Sequence, residues 1–356
     1  MKKLIAISVM LALFTGIAFA QTSISGAVET RINVIEGVLE EENKPTTNSS
    51  IAAGYVQLSG RNEAGTMGGL IRVRQADTGF HRAFVWWRPK PEVRLFLGRD
   101  DDGMFSTGNA LTDWAFHQGG EGHISRHDWG FWRSVFPGNW DKPGFAISYY
   151  GIEGLELNLV VPADGRFDIE DMYPFGLQFM GSYRIPDVGT ILWSYIGSMN
   201  SMEKIDDPYE KANFGLAGIS FLLTAVPGIR TQIGVSTNPA LHGPTPPVRI
   251  GWGLHWASGN IGVKTRAAYV MRNSGDHEDG FNDFLTFNIM PHYTMGNVTV
   301  LCDFIIENNT ANDFISWWVN PYIRYGNLRT GLMINSTTAE GANISYRLPI
   351  QAVFSF

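Results

Sequence analysis

Arg72 and Arg74 stand two residues apart in the run Gly68–Arg74, with Ile71 and Val73 alternating against them. Successive side chains on an extended strand point to opposite faces, so the two guanidinium groups share one face and the aliphatic groups the other. Arg82 and Arg94 sit in the next two alternating runs and are expected as their neighbours. Carboxylates follow in Asp100, Asp101, Asp102, Asp113, Glu121 and Asp128. Opposed charges of this kind shape an electric field, which low-dielectric walls focus. Bond-breaking chemistry has less to work with. The chain carries no nucleophile elbow and no His-Glu-x-x-His segment, and its glycines interleave with strand residues instead of opening helices around phosphate. His117, His123 and His127 with Asp128 could share an ion on a helix, but Gly119, Gly120 and Gly122 argue against one there. Neither catalysis, a metal site nor a cofactor is expected.

The elements that must position these charges are strands. From Thr22 onward the chain divides into eighteen short alternating runs separated by turn chemistry, and sixteen if one pair has been split too finely. Val298–Glu307 shows the pattern: Val298, Val300, Cys302, Phe304 and Ile306 share one face, which makes Cys302 an outward, lipid-facing residue. As the single cysteine it excludes an internal disulfide. Pro291 and Pro321 fall inside two runs, where proline removes a ladder donor and a closed sheet has no edge to hide it.

Connectors alternate in length along the chain. Tight ones such as Gly151–Gly154, Ser258–Asn260 and Gly326-Asn327 trade places with polar ones that are mostly longer, such as Glu36–Ser50 and Met199–Ala212. One connector, Asp100–Pro143, exceeds forty residues. A connector of that length is functional or else counts against the strand assignment. It also holds Phe105, Trp114, Phe116, Trp129, Phe131, Trp132, Phe136 and Trp140, which could anchor the loop against a wall or stack on sugar rings. Short turns alternating with long loops describe a transmembrane barrel.

The two ends of the chain agree with export. Lys2 and Lys3, the apolar run Leu4–Phe14 and Ala18-Phe19-Ala20 read as a signal peptide over residues 1–20, leaving 21–356 as one barrel domain. Removing Lys2 and Lys3 leaves 25 basic against 34 acidic residues, about −9, which argues against nucleic acid as a partner and hints at cations. At the other end Leu348, Ile350, Phe354 and Phe356 lie on one face of a last alternating strand that finishes on an aromatic. That terminal strand resembles the assembly signal of bacterial outer-membrane β-barrels.

Tyr55–Gly60, Gly68–Arg74, Arg82–Trp87 and Arg94–Asp100 resemble the early strands of general diffusion porins, the last of them the strand that leads into their constriction loop. The wording Trp86-Trp87-Arg88-Pro89 and Gly98-Arg99-Asp100-Asp101-Asp102-Gly103 is closer to porin-like proteins of spirochaetes. The resemblance implies an all-β transmembrane antiparallel barrel of sixteen to eighteen strands whose third long loop folds inward. It further implies a passive channel for small hydrophilic solutes in a bacterial outer membrane, with the basic wall residues facing carboxylates of that loop. Outer-membrane lipids, the barrel-assembly machinery and two further copies in a homotrimer would be its partners. A sugar-specific channel and a surface adhesin with a plugged lumen are the alternatives.

Overall fold

The computed structural model describes residues 21–39, 46–74, 80–100, 144–162, 178–196, 216–237, 248–271, 284–309, 314–339 and 341–355. The proposed signal peptide and Phe356 lie outside them. Their elements are all strands, β1 (Gln21–Val38) through β19 (Ser345–Ser355), joined as one antiparallel sheet in which each strand pairs with its neighbours in sequence. The sheet closes on itself, because β1 pairs with β2 on one side and with β19 on the other, Ala27 opposite Ser355. Segments β17 (Leu328–Gly331) and β18 (Met333–Thr337) both lie between β16 (Phe314–Tyr325) and β19 and are halves of one strand. Among the described residues eighteen strands therefore circle the barrel, the higher of the two expected counts.

Burial in this barrel is inverted relative to a soluble protein. Fully or nearly fully covered side chains include Gln232 and Asn320 (0%), Ser148 (1%) and Asn288 (3%), whereas Ile24, Leu97, Ile233 and Ile219 are 51–68% exposed. Within β6 (Gly144–Ile152) the alternation is explicit: Ala146 and Ser148 are buried, while Phe145, Ile147 and Tyr149 are exposed. A water-soluble sandwich hides its apolar face, and a large continuous apolar exterior belongs in hydrocarbon. Cys302 lies on that exterior with Val300, Phe304 and Ile306 as expected, partly covered by its neighbours. Aromatic residues mark the boundary of the apolar band. Trp87, Tyr149, Tyr183, Trp256, Tyr293 and Tyr325 are all exposed, and each stands within a few residues of a short turn. Amphipathic rings at one level are what a membrane–water interface selects.

The prolines are accommodated inside the wall. Pro321 faces Leu332, whose N–H donates to the Pro321 carbonyl at 2.9 Å; the reciprocal bond cannot form without a proline N–H. Pairing of the strand with β16 resumes on either side, Tyr322 with Gly331 and Val319 with Ile334. Pro349 of β19 does the same from the opposite flank, where pairing skips from Thr330–Ile350 to Met333–Arg347. These two prolines are why the strand splits at Leu332. Pro291 causes a third gap, between Ile289–Phe304 and His292–Leu301. Replacing Pro321, which is exposed on the outer face, with Leu should return one ladder bond. We expect the unfolding free energy of the micelle-embedded barrel to rise by about 1 kcal/mol, read from urea titration; no change would mean that Leu332 is already satisfied elsewhere.

Candidate pore-lining site

The candidate arginines lie on β3 (Met67–Arg74), β4 (Phe80–Lys90) and β5 (Val93–Asp100), with β2 (Thr46–Arg61) beside β3. Their register sets Gln57 opposite Arg72, Arg72 opposite Arg82, and Arg82 opposite Asp100. Positions 72, 82 and 100 thus fall on one row of the sheet, toward the long-loop end. Arg72 is fixed there: its Nε and Nη2 donate to Gln57 Oε1 at 2.9 and 2.7 Å, and the guanidinium lies 4.3 Å from the Tyr55 ring centroid. An amide acceptor and an aromatic face both suit a planar guanidinium and fix its orientation. Arg74 pairs across to Tyr55, one step nearer the loops.

Arg94 does not neighbour Arg72 and Arg82 as expected. It is the second residue after the tight turn at Pro91-Glu92, so it begins β5 while Asp100 ends it, and six residues of strand, about 20 Å, separate the two. Arg94 sits opposite Ser148, within 5.6 Å of the ring centroids of Trp86, Phe96 and Tyr150. Asp101, Asp102, Asp113, Glu121 and Asp128, the histidines His117, His123 and His127, and the loop aromatics lie outside the described residues.

Part of the inner wall is apolar, which the polar-inside expectation missed. Phe84, Phe96, Ala146, Val160 and Met180 form a buried cluster across β4, β5, β6, β7 (Leu155–Pro162) and β8 (Gln178–Ile185), with Leu70 and Trp86 packed against it. Phe84 and Phe96 pack as tilted rings 6.1 Å apart. The signal was present in Leu95-Phe96-Leu97, an apolar run with no alternation, which denotes a strand covered on both faces. The far wall mixes amides with a second buried apolar cluster, Met290, Leu301, Tyr322 and Met333. There Gln232 donates to Ser220 at 3.0 Å, and Asn288 donates to Asp303 and to the Phe304 carbonyl; beside the first cluster, Ser148 donates to Asn158 at 2.5 Å. Gln232 Oε1 and both amide atoms of Asn320 are buried with no hydrogen-bond partner among the described residues. Buried amides of this kind draw on water, which fits a hydrated interior.

The wall can therefore do what fixed charges, amides and two apolar patches can do: orient and select what moves along the barrel. Among the described residues no group of three or more His, Cys, Asp or Glu could hold a metal ion. No protein-family model and no curated protein sequence matches the chain. Among solved structures it is similar to the outer membrane protein OpdK from Pseudomonas aeruginosa, at 11% identity over 95% of this chain and 100% of that one, with a TM-score of 0.55. It is also similar to a protein described under asymmetric conductivity of engineered proteins, at 13% identity over 94% of this chain and 100% of that one, with a TM-score of 0.50. At these identities the likeness is one of fold, and the fold is the antiparallel outer-membrane type β-barrel.

Proposed function

We propose that the chain forms a passive, water-filled channel for small hydrophilic solutes across a bacterial outer membrane. The inversion of burial is the observation that carries this: polar side chains line the inside of a closed eighteen-stranded barrel and aliphatic ones cover its outside. Eighteen strands enclose more space than lining side chains alone fill. The wording of Trp86–Pro89 and Gly98–Gly103 resembles porin-like proteins of spirochaetes, and the same reading includes export by residues 1–20, lipid contact over the exterior, assembly through the last strand and a trimer as the assembled form. Phe354 and Ile350 project outward from that strand, 61% and 40% exposed, where an assembly machinery would meet them. In this reading the loop 100–143 narrows the lumen, its carboxylates facing Arg72, Arg74 and Arg82. No chemistry is assigned to the wall.

Proteoliposomes carrying the mature chain should swell in isotonic sugars at rates that fall as solute size rises. Absence of swelling with correctly inserted barrel would overturn the channel. Replacing Arg72 and Arg74 together by Gln should shift the reversal potential in a salt gradient toward cations, because two fixed positive charges leave the lumen face. An unchanged potential would place both outside the conduction path.

A further inference from the structure

Arg94 is a cation that the wall holds without neutralising. Its guanidinium carbon lies 5.6, 5.5 and 5.5 Å from the ring centroids of Trp86, Phe96 and Tyr150. Trp86 is itself seated on β3: it pairs across to Gly68, where an added Cβ would come within 2.7 Å of the indole Cζ2. Ring faces attract a guanidinium yet leave its N–H groups without an oxygen acceptor. The polar groups beside it are committed to one another. Ser148, opposite Arg94, donates to Asn158 Oδ1 at 2.5 Å, and Asn158 Nδ2 donates to Glu156 Oε1 at 3.1 Å. Nε of Arg94 is buried with no hydrogen-bond partner among the described residues, and so is Nε of Arg88, two residues beyond Trp86.

A carboxylate stands near these guanidinium groups without pairing with them. Arg88 and Glu156 are both within electrostatic reach of Arg94. Glu156 lies two strands away, about 10 Å across the sheet. No ion pair joins it to either arginine among the described residues, nor to the exposed Arg184, two residues on from the Ser182 that faces it. Where the sheet does close such a pair, the contact is direct: Arg347 Nε lies 2.9 Å from Glu36 Oε1. The inner wall near the short turns thus presents two cations and one anion held apart from them. A solute with one charge is attracted by one group and repelled by the other, whereas a solute with both signs meets two attractions.

We propose that Arg94, Arg88 and Glu156 form a binding site for a small α-amino acid in its zwitterionic form, the guanidinium groups taking the carboxylate and Glu156 the ammonium. The inference rests on the channel reading for the solute's route, and it names one class among that reading's hydrophilic solutes. A planar carboxylate matches the guanidinium fork bidentately. A carboxylate accepts several hydrogen bonds, so the one that Asn158 donates leaves Glu156 room for an ammonium. The half-buried rings of Trp86 and Tyr150 offer a surface to a short apolar side chain.

Equilibrium dialysis of labelled alanine against the folded barrel in micelles tests the site, with propionate and ethylamine as isosteres that lack the ammonium and the carboxylate. We expect saturable binding of alanine at neutral pH, and binding of either isostere weaker by about tenfold or more, the factor that one hydrogen-bonded charge carries. Arg94→Gln should remove alanine binding, while Arg94→Lys keeps part of it. Glu156→Gln should invert the order, so that propionate binds at least as well as alanine. Propionate or ethylamine binding the unsubstituted barrel as tightly as alanine, or an unchanged order in Glu156→Gln, would overturn the inference. If a variant fails to fold, the order of the three solutes on the unsubstituted barrel decides alone. Dialysis needs no current, so the two readings fail separately. A conducting barrel with no saturable alanine binding would overturn the site and leave the channel; a barrel that binds alanine yet carries no current would overturn the channel and leave the site.

Discussion

Ile219→Arg is expected to cost about 2–4 kcal/mol of barrel stability, the range for a cation on the lipid face near the bilayer midplane. Ile219 lies mid-strand in β10 (Leu216–Leu223), on the outer face, and is 51% exposed. In water such a residue would be a minor liability, and replacing it with arginine would be close to neutral. In hydrocarbon the same substitution strands a charge, relieved only by snorkelling or by thinning of the membrane. The comparison that isolates this is Ser182→Arg, on the inner face opposite Glu156, where an added cation meets a carboxylate. Its cost should stay below about 1 kcal/mol, the range for a polar site away from packing defects. Urea unfolding in lipid bilayers measures both, and equal costs at the two positions would contradict the assignment of inside and outside.

Gly98→Val is expected to be the more severe change, above about 3 kcal/mol, through backbone collision combined with an unfavourable dihedral. Gly98 holds φ at +134°, and a Cβ built there lies 2.2 Å from the Ala83 carbonyl oxygen and 2.6 Å from the Phe84 Cα. Both obstacles are main chain of β4, so no side chain can swing aside. The strands β4 and β5 would have to part where Phe84 faces Gly98, and refolded yield should fall sharply. Gly259→Ala is the contrast: its φ is +58°, with nothing within 4 Å of the added carbon. That change should cost only about 1 kcal/mol for the left-handed turn. Similar refolded yields for the two variants would mean that the β4–β5 contact is looser than the geometry states.

Much of this barrel was legible from residue order, because the period of two and the turn residues are both local signals. The runs Gly144–Tyr150 and Leu155–Pro162 coincide with β6 and β7 within two residues, joined by the turn that Glu153-Gly154 predicts. The outward face of Cys302 followed from the same alternation. What failed had a different physical origin. The break at Leu332 is imposed by Pro321 and Pro349, which lie on the two flanking strands, so nothing within the broken strand announces it. Arg94 was set beside Arg72 because both are lumen-facing arginines on nearby strands. Counting from the turns would have separated them, since position along a strand fixes height in the wall. The apolar patch around Phe84 and Met180 was missed because alternation was read as polar against apolar, although Phe96 stands on the same face of β5 as Arg94.

Single-channel current through the refolded mature chain in a planar bilayer tests the central claim most directly. The account predicts stepwise openings whose size grows with salt concentration, because ions move through water enclosed by the wall. Barrels that insert yet carry no current at any salt concentration would contradict it, and would mean that the eighteen strands enclose a plug.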